Sequence, residues 1–166
     1  MFDILKTDRL ILRKARFDDL DLIFNNVWSD ESLTKNMLWK VTTNYDDAVE
    51  RMKRTIKFQS ENYAYFVCLK ESDEPIGFAG IYEKEPGVYE DTGICIATKY
   101  QKKGYGTRLL LSIEKCFSEN RFELFTSTRS LSNIKMYERM GYNSFDTKDV
   151  DDELSFVYLE KHKNKE

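Results

Sequence analysis

The chain has 166 residues, the length of a single domain, and its 41% hydrophobic and 33% charged content is typical of a folded protein. The net charge is −3, from 26 basic and 29 acidic residues, so bulk electrostatics do not favour a nucleic-acid partner. No apolar stretch has the length of a membrane span, and the N-terminus lacks a signal-peptide pattern. Three scattered cysteines, Cys68, Cys95 and Cys116, argue against a disulfide framework and a structural zinc site. We therefore expect free thiols, no metal, no membrane partner and a cytoplasmic location.

The N-terminal half predicts a strand and two helices, followed by three strands. Phe17 and Leu22 flank Asp18 with the spacing of a hydrophobic staple around an N-cap, which predicts the start of the first helix. Asn44 is the predicted N-cap of the second helix, which an apolar stripe extends to about residue 60. The predicted strands of this half span residues 9–15, 63–70, 76–84 and 89–98.

The C-terminal half predicts two more helices and three more strands. A helix follows Gly104 and Gly106, and a short helix over 132–140 ends at Gly141 in a C-cap role. The predicted strands span residues 122–128, 142–147 and 154–160, the last two forming a hairpin. The order β-α-α-β-β-β-α-β-α-β-β indicates one α/β domain over residues 1–166, built around a single mixed sheet.

Residues 94–108 form a strand, a glycine-containing loop and the start of a helix. Free backbone N–H groups and the helix dipole at such a start favour an anion. Gly104 and Gly106 allow close approach, Lys102 and Lys103 add positive charge, and the Thr107 hydroxyl adds a donor. This pattern predicts a pyrophosphate site.

Two nucleotide-binding motifs do not fit this loop. A Walker loop requires GxxxxGK[ST], which the sequence lacks, and a Rossmann fingerprint requires a third glycine where Leu109 stands. On the GxG pattern alone, a glycine-rich turn without function stays open as the alternative.

The run Gln101-Lys102-Lys103-Gly104-Tyr105-Gly106 resembles the coenzyme A motif Q/R-x-x-G-x-G/A of the GNAT superfamily of N-acetyltransferases. Residues 7–13, TDRLILR, resemble the opening strand of the ribosomal-protein-acetylating (RimJ/RimL-like) branch, and residues 133–142, NIKMYERMGY, resemble the superfamily's late helix. The three motifs occur in the family's order and span nearly the whole chain. The resemblance implies an acetyl-CoA-dependent N-acetyltransferase with a mixed, mostly antiparallel sheet flanked by helices.

The resemblance also implies which residues bind the cofactor. Backbone amides of the loop would bind the pyrophosphate, and the preceding strand would pair its main chain with the pantetheine arm. The implied cofactor-binding residues are Ile94, Cys95, Ile96, Ala97, Gln101, Lys102, Lys103, Gly104, Tyr105, Gly106, Thr107 and Asn133. In the family the motif asparagine more often lies seven residues before the tyrosine, where Ser130 stands here.

The implied reaction is direct attack of a neutral amine on the acetyl thioester. Tyr137 occupies the position of the family's usual acid, which returns a proton to the departing thiolate. Core packing beside Ile134 and Met140 is the alternative for Tyr137. Asp91 and Glu90 are the candidate general bases, with Glu83 as a further candidate; each is equally well explained as an exposed carboxylate, and water molecules could replace them.

The expected acceptor is a primary amine, on a small molecule or at a protein N-terminus. In this fold specificity usually comes from two segments, here residues 29–44, containing Met37, Leu38 and Trp39, and the acidic turn at 146–153. Dimers are common among relatives, so a homodimer is left open. Two other classes stay open: a non-catalytic module that senses acetyl-CoA, and an interaction protein with a purely structural loop.

Overall fold

The computed structural model describes residues 4–35, 37, 39–85, 88–91, 93–116, 121–152 and 154–162. Its strands are β1 Ile4–Lys6, β2 Leu10–Arg13, β3 Tyr63–Leu69, β4 Pro75–Glu85, β5 Val88–Asp91, β6 Cys95–Ile96, β7 Arg121–Ser127, β8 Asn143–Asp149 and β9 Ser155–His162. Its helices are α1 Leu20–Ile23, α2 Glu31–Thr34, α3 Tyr45–Glu61, α4 Tyr105–Cys116 and α5 Leu131–Arg139. Short 3₁₀ turns cover Phe17–Asp19 and Thr98–Tyr100, and α1 continues as a π-helical segment over Phe24–Trp28.

The chain forms two compact units, the first made of residues 1–35 and 39–109 and the second of residues 36–38 and 110–166, so the main boundary lies within α4. The sheet of the first unit has the order β1-β2-β3-β4-β5, with β6 also paired to β4. The sheet of the second unit has the order β7-β9-β8, and every pairing in both sheets is antiparallel. The α/β fold class is confirmed, but the strands lie in two sheets where one was expected. The assignment of residues 1–166 to a single domain stays a prediction.

The strand predicted over residues 89–98 is divided into β5 and β6, which both pair with β4. Gly93 lies between them with φ +79°, a left-handed conformation that interrupts an extended ladder. β6 then ends because a 3₁₀ turn begins at Thr98. The division places a short, sharply bounded strand directly before the glycine loop.

Helix α3 begins as predicted, but the first helical segment does not. The Asn44 side chain accepts a hydrogen bond from the Asp47 amide at 2.8 Å, which caps α3. The caps lie at Arg16 for the 3₁₀ turn and at Asp19 for α1, so the predicted N-cap at Asp18 is wrong, and Phe17 and Leu22 are 49% and 45% exposed. Asp19 makes the local contact instead and accepts from the Arg16 amide at 2.8 Å.

In the second unit, α5 packs on the sheet through a small apolar core. Its buried members are Leu110, Tyr142, Val157 and Leu159, with Phe122, Leu124, Ile134, Tyr137 and Met140 packed against them. Gly141, at φ +91°, follows α5 in the left-handed conformation expected of a C-cap. Within the described residues, no helix is both long and apolar enough to cross a membrane.

Candidate active site

Strand β6 exposes alternate main-chain groups on the edge that faces away from β4. Cys95 lies opposite Phe78, and the Ala97 amide donates to the Ile76 carbonyl at 2.7 Å. Because hydrogen-bonded pairs alternate along an antiparallel ladder, Cys95 and Ala97 bond to β4 and Ile96 points to the other edge. Of the residues assigned to the pantetheine arm, Ile96 therefore has the outward-facing N–H group.

Gly77 permits the close approach of β4 and β6. A Cβ atom built on Gly77 would lie 2.0 Å from the Cys95 carbonyl oxygen, a backbone atom that cannot rotate away. Gly77 lies outside the motifs of the sequence. An isolated glycine in a strand is nonetheless a known signal of close backbone approach.

The loop after β6 has the backbone geometry of an anion site. Lys102 and Gly104 adopt left-handed conformations, with φ of +60° and +76°. The Arg108 amide donates to the Gly104 carbonyl at 3.1 Å, so Gly104 precedes the first turn of α4. The amides of residues 105–107 have no intrahelical acceptor at such a terminus. A Cβ atom on Gly104 or Gly106 would meet nothing within 4 Å, so the space beside the loop is open.

Side chains on both sides of the loop fix its position. Gln101 Nε2 donates to the Ile96 carbonyl at 2.9 Å, which ties the first motif residue back to β6. Arg9 Nη2 donates to the Tyr105 hydroxyl at 3.1 Å, and Tyr105 is only 8% exposed. The Tyr100 hydroxyl donates to Glu74 Oε1 at 2.9 Å.

The loop is also positively charged. The exposed Lys102 and Lys103 lie within it, and Lys103 Nζ is 5.1 Å from the centre of the Tyr100 ring. Unpaired amides, open space and cationic side chains are together suited to a pyrophosphate.

Tyr137 and Asn133 belong to the second unit, whereas β6 and the loop belong to the first. The Tyr137 ring packs edge-on against Tyr142 with centroids 6.1 Å apart, and the side chain is half-buried. Asn133 is exposed near the start of α5. The contact with Tyr142 is compatible with a role for Tyr137 in core packing. The partial exposure of the side chain is compatible with a role as the acid.

The predicted bases are placed only through their backbones. Glu90 pairs with Tyr82 and Asp91 with Ile81 in the ladder between β4 and β5, and Glu83 pairs with Tyr89. The side chains of all three carboxylates lie outside the described part of the structure, as does the whole of Leu38.

Cys95 lies in β6 and is 2% exposed. Burial is the main cause that raises the pKa of its thiol to about 12; the Arg51 charge lowers the pKa, and the Asp30 charge raises it. The thiol is therefore protonated at neutral pH. A protonated thiol is a poor nucleophile, which argues against acetylation of Cys95.

A cavity of about 500 Å³ lies between α3 and the sheet of the first unit. Trp39, from the predicted specificity segment, lines it, and so does Arg51 of α3. Sequence reasoning missed Arg51, because a lone arginine on an amphipathic helix is ordinarily a solvated residue.

The chain matches known acetyltransferases in sequence pattern and in fold. A model of the acetyltransferase (GNAT) family matches residues 22–142. The GNAT-family acetyltransferase from Bacillus anthracis superimposes with a TM-score of 0.74, at 17% identity over 96% of this chain and 98% of that one. RimL, a ribosomal α-N-protein acetyltransferase in complex with coenzyme A, gives 0.73 at 14% identity, over 96% and 97% of the two chains. The microcin self-immunity acetyltransferase MccE, in complex with acetyl-CoA and AMP, gives 0.72 at 13% identity, over 94% and 93%.

No curated protein matches the chain. At such low identities the structural likenesses establish the fold alone, whereas the family model covers more than half of the chain. The chain therefore belongs to the acetyltransferase (GNAT) family, as its motifs predicted, and is an acetyl-CoA-dependent N-acetyltransferase.

Proposed function

We propose that this domain, residues 1–166, transfers the acetyl group directly from acetyl-CoA to a primary amine while both are bound. Acetyl-CoA supplies the acetyl group as an activated thioester. The amine nitrogen forms a bond to the acetyl carbon, and the carbon–sulfur bond breaks. The burial of Cys95 supports direct transfer, since a thiol that is 2% exposed is poorly accessible as a nucleophile in this strand.

The cofactor-binding residues are assigned on the geometry of the first unit. The amides of Gly104–Thr107 would bind the pyrophosphate, with Lys102 and Lys103 adding charge, and Gln101 would hold the loop against β6. The outward-facing amide of Ile96 and the amide of Ile94 would bind the pantetheine arm, and one of them would stabilise the negative charge that develops on the thioester oxygen.

Two proton transfers complete the proposed reaction. Tyr137 would donate its hydroxyl proton to the departing sulfur, and the amine proton would pass to water or to the carboxylate of Glu90 or Asp91. Asn133 would contact the pantetheine from one helical turn before Tyr137. A structural relative named as a ribosomal-protein acetyltransferase supports the RimJ/RimL-like branch, and with it a cytoplasmic enzyme that acetylates a protein N-terminus or a small molecule.

The observation that carries the proposal is the loop at the start of α4, with left-handed Lys102 and Gly104 and open space on the side of the glycines. The test is calorimetric titration of acetyl-CoA into wild type, Gly104→Asp and Gly104→Ala. We expect Gly104→Asp to abolish binding, because the side chain fills the loop and repels phosphate. Gly104→Ala shares the backbone strain without the charge, so it should weaken binding much less.

The titrations distinguish a pyrophosphate site from a structural loop, and an enzyme from a sensor. Unchanged affinity in folded Gly104→Asp would refute the pyrophosphate site. Binding by wild type without turnover of any amine would favour a sensor of acetyl-CoA over an enzyme.

A further inference from the structure

The cavity beside α3 has the composition of a binding site for an anion with an apolar part. Six aromatic residues line it: Trp28, Trp39, Phe58, Tyr65, Phe66 and Phe78. Its charged lining residues are all cations, Lys40, Arg51 and Arg54, and no carboxylate is among the described residues of its wall. A volume of about 500 Å³ lies within the range of small-molecule sites.

Arg51 lies between two indole rings and has no acidic partner among the described residues. Its guanidinium carbon is 4.8 Å from the centre of the Trp28 ring and 4.7 Å from that of Trp39. Nη1 donates to Thr42 Oγ1 at 2.9 Å and to the Lys40 carbonyl at 3.4 Å. Since these bonds both use Nη1, the Nε and Nη2 groups are left to bind a carboxylate side-on.

Burial makes the charge on Arg51 unfavourable. It lowers the pKa of the guanidinium to about 10, so the group is still protonated at neutral pH. An anion that enters the cavity would compensate this charge, and the surrounding aromatic rings would strengthen the attraction by excluding water.

Trp39 contributes its indole ring to the wall of the cavity. Its Nε1 atom is buried and, within the described part of the chain, has no hydrogen-bond partner. Because this atom has almost no accessible surface, a ligand in the cavity would reach it only if the indole turned on binding.

The cavity also adjoins the strand assigned to the pantetheine arm. Phe78 lines the cavity and lies directly opposite Cys95 in the pairing of β4 with β6. Side chains of directly opposed residues project from the same face of a sheet, so an amine in the cavity would approach β6 from that face.

We propose that this cavity is the acceptor site and that it selects small amines that carry a carboxylate, which Arg51 binds. The inference rests on the proposed acetyl transfer and specifies its substrate class. Amino acids and similar amino-carboxylates fit the site, whereas diamines and polyamines would be repelled by its three cations.

The first test uses matched amines that differ only in the carboxylate: phenylalanine and 2-phenylethylamine, leucine and isoamylamine, lysine and cadaverine. The chain contains two tryptophans, and both line the cavity, so intrinsic fluorescence reports binding there without acetyl-CoA. We expect the carboxylate-bearing member of at least one pair to bind about tenfold more tightly, the effect of one charge-assisted hydrogen bond. Equal or weaker binding of all the carboxylate-bearing members, or no response to any of them, would overturn the proposal.

The second test assigns the effect to Arg51. Arg51→Gln should remove the preference for the carboxylate, and Arg51→Lys should retain part of it, because lysine keeps the charge but not the planar fork. Lys53→Gln is the matched control, since Lys53 lies on the same helix but is exposed and paired with Glu50. A preference that survives Arg51→Gln would overturn the assignment.

Acetyl-CoA affinity and thiol release, measured on the same proteins, separate the two proposals. Selective carboxylate binding without acetyl transfer would refute the proposed reaction but not the binding preference. Acetyl transfer that favours the decarboxylated amines would refute the preference and leave the reaction intact.

Discussion

Two tyrosines lie in contact in the second unit, and their surroundings give them different roles. The Tyr142 hydroxyl donates to the buried Glu114 at 2.9 Å, and Glu114 also accepts from Lys161 Nζ at 2.6 Å. Burial and the neighbouring Glu114 raise the pKa of Tyr142 far above its ordinary value. A hydroxyl that is buried and already bonded to a carboxylate is poorly suited to protonate a departing thiolate. Tyr137, which is half-buried, is therefore the better candidate for the acid.

This difference predicts opposite outcomes for two matched substitutions. Tyr137→Phe should lower kcat by about 100-fold, the usual contribution of a general acid, while acetyl-CoA affinity stays near wild type. Tyr142→Phe should leave most of kcat and instead lower the free energy of unfolding by about 1–3 kcal/mol, because Glu114 loses a donor. Steady-state kinetics and urea denaturation of both variants measure the two effects. Unchanged turnover in Tyr137→Phe would remove it as the acid.

At the scale of secondary structure, the approach of β4 and β6 depends on a single missing side chain. The Ala97 amide bonds to Ile76, and Cys95 lies opposite Phe78, so Gly77 is enclosed by paired backbone. The strand that Gly77 supports leads directly into the loop proposed to bind the pyrophosphate. Any displacement of β6 would therefore move the outward amide of Ile96.

Gly77→Ala should consequently reduce both stability and cofactor affinity. The added Cβ would lie 2.0 Å from a backbone oxygen, so the strands must separate. A cost of about 2 kcal/mol corresponds to a Tm lower by roughly 4–8 °C for a chain of this size. Gly106→Ala is the control for folding, since its Cβ meets nothing and its φ is not left-handed, and it should not lower Tm. Scanning calorimetry and acetyl-CoA titration test the pair; a Gly77→Ala protein with wild-type Tm would contradict the account.

Signals from adjacent residues predicted most of the secondary structure, whereas features that depend on contacts between distant residues could not be predicted. The capped start of α3 at Asn44 and the end of α5 before Gly141 are encoded by a few adjacent residues, and both are confirmed. The N-cap predicted at Asp18 is not formed; Asp19 occupies the N-cap position of α1 instead, and it pairs with Arg13, which lies on another element. Charge pairing across elements is not visible in spacing along one helix or strand.

The same limit applies to the candidate site. The loop motif occupies consecutive positions, so its location at the N-terminus of α4 could be predicted. The role of Arg51 could not, because it depends on the two indoles that enclose it and on the lack of a described acidic neighbour. The role of Gly77 could be predicted in part: the sequence shows a glycine within a predicted strand, but it does not show which strand packs closely against that glycine.

The stability of the first unit depends on one buried arginine that joins three parts of the chain. Arg13 of β2 is 3% exposed and forms a bidentate pair with Asp19, with both distances 2.8 Å. Its Nε donates to Asp73 in the turn between β3 and β4 at 2.6 Å, and Arg16 donates to the other oxygen of Asp73. Asp19→Asn removes the buried carboxylate and leaves Asp73 as the remaining partner of Arg13, so it should lower the free energy of unfolding by about 1.5–3 kcal/mol, measured by urea denaturation.

The stability that Asp73 adds should depend on pH, with a sign fixed by its surroundings. Burial alone would raise its pKa, but hydrogen bonds and charges from Arg13 and Arg16 outweigh this and hold the pKa below its usual value. A carboxyl whose pKa is lowered by folding stabilises the protein above the pKa of the unfolded chain, about 3.9, and loses this contribution as pH falls through the folded value. Asp73→Asn should therefore be destabilised, by about 1 kcal/mol or less because the carboxylate is 42% exposed, across pH 5–7. The difference from wild type should shrink below about pH 4. Urea denaturation across this range measures it, with Arg16→Gln separating the exposed ion pair from the buried one; a difference that is undiminished at low pH would show that Asp73 acts through packing and not through its charge.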